Sequence, residues 1–102
     1  MFEFNGKEYD LKYNIKRVEL IEAALNSSIM SSLAANKGYL SIQQIKTHFA
    51  FALKEAGSDV FVKPKEGQEI AEALIEGTGY EITTAQIIEA LQRDCPFFFQ
   101  GV

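Results

Sequence analysis

Two residues of this chain could carry nucleophilic chemistry, and each type occurs once: the cysteine Cys95 and the histidine His48. An imidazole that draws the proton from a thiol makes a strong nucleophile. Their surroundings favour a quieter interpretation. His48 falls inside a helical pattern beside Phe49, and Cys95 precedes Pro96 at a helix end, so nothing in the spacing makes them neighbours. A half-exposed histidine and a small buried cysteine are expected instead. Zinc needs several His or Cys ligands, and the chain lacks them. Glu66, Glu69, Glu72 and Glu76 recur at three- and four-residue steps, the spacing of a solvated helix face, with no opposing ligand set. Glu76-Gly77-Thr78-Gly79 lacks the alternating acids of a calcium loop. It also lacks the third glycine of a dinucleotide fingerprint, and no Walker lysine motif is present. Lys63-Pro64-Lys65 is too short for a nucleic-acid patch. No catalytic, metal or cofactor site is expected, which leaves surface for partners.

Composition narrows the partners. The 102 residues carry ten Lys and Arg scattered among fourteen Asp and Glu, for a formal net charge of −4. Binding to a phosphate backbone draws on clustered cations, so no nucleic-acid partner is expected. With 47% hydrophobic residues the chain is too apolar for a disordered one and can bury a modest core. One cysteine excludes an intrachain disulfide and suggests a reducing compartment. The start, MFEFNGKEYD, is unlike a signal peptide, and no apolar stretch approaches the roughly 20 residues of a membrane span. A cytoplasmic protein with no membrane partner is expected.

The elements that must position any binding surface are mostly local in origin. FEFNGKEYDLKY alternates about Asn5-Gly6, the dipeptide of a two-residue type I′ turn. With that turn Phe4 faces Lys7 and Phe2 faces Tyr9. Phe2, Phe4, Tyr9, Leu11 and Tyr13 then share one face, and Glu3, Glu8, Asp10 and Lys12 the other. The hairpin takes up residues 1–13. A two-stranded pair is marginal alone, so it requires helix packing or a third strand, from this chain or another. Helices are expected at about 14–26, 41–56, 64–76 and 83–94. Asn14 caps the first, whose apolar stripe is Ile15, Val18, Ile21, Ala24 and Leu25. Ile29, Met30 and Leu33 suggest a short helix before Gly38, weakened by four serines. Ser41 and Gln44 form a capping box, followed by Ile42, Ile45, Phe49, Ala52, Leu53 and Ala56. Val60, Phe61 and Val62 read as a short strand or an apolar linker. Pro64 opens a helix that turns Ile70, Ala73 and Leu74 inward, and Gly77 and Gly79 break it. Thr83 and Gln86 form a second capping box, with Ile87, Ile88 and Leu91 buried behind it. The fold class is α+β: an N-terminal β-hairpin followed by a mainly helical single domain.

The aromatic tail at 95–102 is the anomaly. Pro96 ends the last helix, and Phe97, Phe98 and Phe99 follow it directly. In an extended strip Phe97 and Phe99 point one way and Phe98 the other. Such a strip suits insertion between two layers, in the protein's own core or in a partner. Phe97, Phe98 and Phe99 are accordingly the candidate partner-binding residues.

Three segments, FNGKEYDLKYNIKRVELIE, PKEGQEIAEALIEGTGY and IIEALQRDCPFFF, together resemble tail assembly chaperones of long-tailed phages and prophages of Gram-positive bacteria. The resemblance spans most of the chain in order. It implies a non-enzymatic protein without cofactor that binds the tape measure protein, keeps it soluble and recruits the tail tube protein. It also implies action in the bacterial host cytoplasm and absence from the mature virion. A homo-oligomer is compatible with it. Many members are made in a short and a longer, frameshifted form. Phenylalanine codons are U-rich, so Phe97–Phe99 marks a candidate slippery run, with Gln100-Gly101-Val102 as the short form's own tail. The alternative is a small structural head–tail completion protein of a phage or prophage.

Overall fold

The structure, a computed structural model, describes residues 2–99; the expected short-form tail Gln100-Gly101-Val102 lies outside the described residues. Strands β1 (Phe2–Phe4) and β2 (Lys7–Leu11) pair in the register read from sequence, with Phe2 opposite Tyr9 and Phe4 opposite Lys7. Asn5 and Gly6 both adopt positive φ, 51° and 78°, as a type I′ turn requires. Helix α1 (Ile15–Leu25) starts where Asn14 Oδ1 accepts the Arg17 N–H at 2.9 Å. It buries Val18 and Ile21, while Ile15 and Ala24 face solvent, so the inward stripe is narrower than expected. Helix α2 (Ile29–Ala35) does form, because its serines act at the start: Ser28 caps it, accepting from Ser31 N–H at 3.1 Å.

Helix α3 (Ile42–Ala52) carries the reciprocal Ser41–Gln44 capping box. It ends four residues before the expected 56. Leu53–Glu55 forms strand β3 instead, antiparallel to β2, with Leu11 opposite Leu53 and Tyr9 opposite Glu55. The hairpin thus takes its third strand from its own chain. Leu53 becomes fully buried, and the ladder continues beyond the strands through Lys12 N–H to Ala52 O (2.8 Å) and Ala56 N–H to Glu8 O (2.9 Å). Satisfying the open edge of β2 while burying Leu53 outweighs one further helical turn. Beyond β3, Phe61 bridges Lys54, and the Arg17 guanidinium lies 3.8 Å over the Phe61 ring.

Helices α4 (Pro64–Thr78) and α5 (Tyr80–Asp94) follow. Gly77 is absorbed into α4, which runs on to Thr78. The second capping box does not form, because α5 already begins at Tyr80. Thr83 lies inside the helix, fully buried, its hydroxyl donating to the Gly79 carbonyl at 2.8 Å. The core gathers on α3, where Ile45 and Phe49 meet Ile21, Ile70, Ile87 and Leu91. Ile42, at the start of the same helix, is exposed rather than part of that core.

Candidate functional site

The residues with chemical potential converge on Tyr13, just beyond β2. Its hydroxyl lies 2.8 Å from His48 Nδ1, and its backbone N–H donates to Asp94 Oδ2 at 2.9 Å. Asp94, whose side chain is 3% exposed, also accepts from Arg93 at 2.8 Å and from Lys12 Nζ at 3.2 Å. Arg93 in turn donates to the Leu11 carbonyl. The end of β2 is thereby tied to the last turn of α5.

His48 is not half-exposed as expected; it is buried at 1% exposure. Thr47, His48, Phe49 and Ala50 are consecutive and all buried, because α3 has neighbours on nearly every side. Burial lowers the His48 pKa to about 4, so the ring is neutral. Burial, then the charges of Cys95 and Asp94, push the Tyr13 phenol well up, against a smaller opposing effect of Arg93. Cys95 is buried, and that burial, followed by Asp94, raises its thiol, with Lys12 opposing. Burial also works against the ionised Asp94, but hydrogen bonds from Arg93, the Tyr13 N–H and Lys12 win and hold it at about 2. A thiol kept protonated beside a carboxylate is the reverse of an activated nucleophile. The cluster acts as a clamp between sheet and helix.

Removing the shared acceptor tests this. Asp94→Ala strands the Tyr13 N–H and removes the acceptor shared by Lys12 and Arg93, although Arg93 keeps Asp10 and the Leu11 carbonyl, and we expect a loss of about 2 kcal/mol. Urea unfolding should show a lower midpoint with an unchanged slope; an unaltered midpoint would exclude the clamp.

Glu66, Glu69, Glu72 and Glu76 are all exposed on α4, with Glu72 paired to Lys46 at 2.6 Å. Among the described residues no group of three or more His, Cys, Asp or Glu is placed to hold a metal ion.

The phenylalanine run departs from expectation. Pro96–Phe98 forms a 3-10 turn, closed by Phe98 N–H to Cys95 O (3.1 Å) and Phe99 N–H to Pro96 O (2.9 Å). The fixed φ of Pro96 suits such a turn as well as it suits a strand. The rings therefore fan out instead of alternating. Phe98 and Phe99 pack half-buried against the core, and Phe97 stays 49% exposed. Its ring centroid is 4.9 Å from that of Phe98.

A second feature was not expected from sequence. A groove of about 460 Å³ runs between α5 and the loop joining α2 to α3, lined by Gly38, Tyr39, Glu81, Thr84, Ala85, Ile88 and Glu89. Helix α5 has two apolar faces. Thr83, Ile87, Ala90 and Leu91 point inward, whereas exposed Ile82 and Ala85 share the outward side with half-buried Ile88. That second face was the available signal.

Fold and surface together define a small α+β domain in which the polar cluster ties sheet to helix, and whose surface includes an apolar groove and the exposed Phe97. Comparison with protein-family models, curated proteins and solved structures yields no match in any of the three. Among the described residues, no helix is long and apolar enough to cross a membrane.

Proposed function

We propose that this chain is a tail assembly chaperone of a long-tailed phage or prophage. It binds the tape measure protein, keeps it soluble, and brings the tail tube protein to it. It does so without catalysis or a cofactor, in the host cytoplasm, and it stays out of the finished particle. The observation that carries this is the ordered resemblance of three segments. They correspond to the hairpin with α1, to α4 with the start of α5, and to the end of α5 with the phenylalanine turn. The surface supports a binding role: Phe97 and the α5 groove offer apolar area that a helix-rich client could cover. The longer, frameshifted form belongs to the same reading, and codons that interrupt a uridine run across Phe97–Phe99 would remove it.

Co-expression with the tape measure protein tests the proposal. The tape measure protein should move from the insoluble to the soluble fraction and co-purify with the chain, while purified particles lack it. Phe97→Ser should fold normally, since that ring is half in solvent, and should retain less tape measure protein. Unchanged tape measure solubility would sink the chaperone reading. Presence of the chain in purified particles would point to a head–tail completion protein instead.

A further inference from the structure

We infer that the groove between the Gly38-Tyr39 loop and α5 receives an amphipathic helix whose apolar stripe is flanked by Lys or Arg. This rests on the proposal that the chain binds a helical client, and it names the surface and the chemistry of the segment bound.

The first ground is apolar exposure in one place. Tyr39, 57% exposed, Ala85, open to solvent, and half-buried Ile88 all line the groove, and exposed Ile82 lies just outside it on the same side of α5. Residues 82, 85 and 89, and residues 81, 85 and 88, follow helical spacing, so these side chains form one continuous face. Scattered exposed apolar residues are ordinary, but a grooved cluster is not.

The second ground is that the groove is already built. The Tyr80 hydroxyl donates to the Leu40 carbonyl and ties the loop to the first turn of α5. Leu40 itself is buried, and the loop is closed by Gly38 N–H to Leu33 O (2.8 Å) and Tyr39 N–H to Asn36 O (3.0 Å). A wall held this way loses little conformational freedom when a partner arrives. Along α5 the face from Glu81 to Glu89 is about 12 Å long at 1.5 Å per residue. That length matches two turns of a partner helix and three anchors at i, i+3 or i+4, and i+7.

The third ground is charge, and it selects the occupant. The charged side chains that line the groove are both acidic, Glu81 and Glu89, one at each end of the α5 face. Among the described residues neither is in an ion pair. Lys37 precedes the Gly38-Tyr39 wall without lining the groove. An apolar floor between two unpaired carboxylates complements a helix with cations flanking its stripe. A second copy of this acidic chain suits it less, because the net charge of −4 repels.

A labelled synthetic helix of about 18 residues, long enough to be helical in water, serves as the probe. It carries leucines at three- and four-residue steps flanked by lysines. Controls are a glutamate-flanked version and a scramble of the same composition. Fluorescence anisotropy should show binding of the lysine-flanked peptide, at least about tenfold tighter than the scramble. Amide shift changes should centre on Tyr39, Ala85 and Ile88. Glu81→Lys with Glu89→Lys should weaken that peptide about tenfold and favour the glutamate-flanked one. Glu66→Lys with Glu69→Lys on α4 changes net charge equally and should leave affinity within about twofold.

Equal losses in both double variants would mean diffuse attraction and overturn the groove assignment. So would shift changes centred elsewhere, absence of peptide binding, or self-association through α5 in sedimentation. The chaperone proposal fails separately. If the Glu81→Lys/Glu89→Lys protein still holds tape measure protein as well as the parent does, the groove is wrong and the chaperone reading stands. If tape measure protein stays insoluble while the peptide responses are as expected, the chaperone reading alone falls.

Discussion

Alanine at Gly67 is expected to destabilise the protein by about 3 kcal/mol, opposite in sign to the usual effect of that substitution in a helix. Gly67 lies near the start of α4 with ordinary negative φ, where alanine normally gains up to about 1 kcal/mol. Its Cβ, however, would stand 2.8 Å from the Phe49 carbonyl carbon and 3.0 Å from Ala50 Cα, and closer still to the Phe49 carbonyl oxygen. All three atoms are backbone of α3, inside the core, so no side-chain rotation relieves the contact. The helices must separate, which would loosen the packing of Phe49 and Ile70, both buried to 1% exposure or less. Gly77 on the same helix provides the internal control, for a Cβ there meets nothing within 4 Å and the site is exposed. Gly77→Ala should gain about 0.5–1 kcal/mol. Thermal melts should therefore move in opposite directions, with Gly67→Ala lower by on the order of 15 °C. Two shifts of the same sign would contradict the close α3–α4 contact.

What could be read in advance follows the range of the forces involved. The hairpin register, the Asn14 cap and the Ser41–Gln44 box are set by residues within a few positions of one another, and the structure has all three. Leu53-Lys54-Glu55 continues the helical apolar period of α3. Only the open edge of β2, far away in sequence, draws those residues into a strand. Thr83 and Gln86 carry the right types for a capping box, but the helix has already started at Tyr80. The proline before the phenylalanine run permits a 3-10 turn as well as an extended backbone, so the local sequence does not choose between them. The burial of His48 is not legible locally, because exposure on a central helix depends on how many neighbours surround it, which its own sequence window does not encode. The groove sits between these cases. Its α5 face is visible in the spacing of Ile82, Ala85 and Ile88, whereas its second wall is a loop brought there by tertiary packing.

Acidification from pH 6.5 to 4 is expected to remove about 3 kcal/mol of stability through His48 alone. Burial lowers the folded pKa to about 4, whereas the unfolded ring keeps its ordinary value near 6.5. Between those values the unfolded chain binds a proton that the folded chain refuses, so stability declines as pH falls. The contribution is complete above pH 6.5 and lost by pH 4. Charging the ring would strand an imidazolium away from water and make Nδ1 a donor facing the Tyr13 hydroxyl. Asp94 acts lower down: its folded pKa of about 2 lies below the ordinary 3.8, so its stabilisation is lost between those two values. The two losses therefore fall in successive pH windows. Urea midpoints between pH 7 and 4.5 isolate the histidine. The parent should lose stability across that range, and His48→Gln, although less stable throughout, should lack this component of the slope. Tyr13→Phe should retain it, because burial rather than the phenol lowers the pKa. A parent equally stable at pH 7 and 4.5 would mean that the ring is not held neutral in the core. A slope that vanishes in Tyr13→Phe would instead transfer the cause from burial to the Tyr13–His48 hydrogen bond.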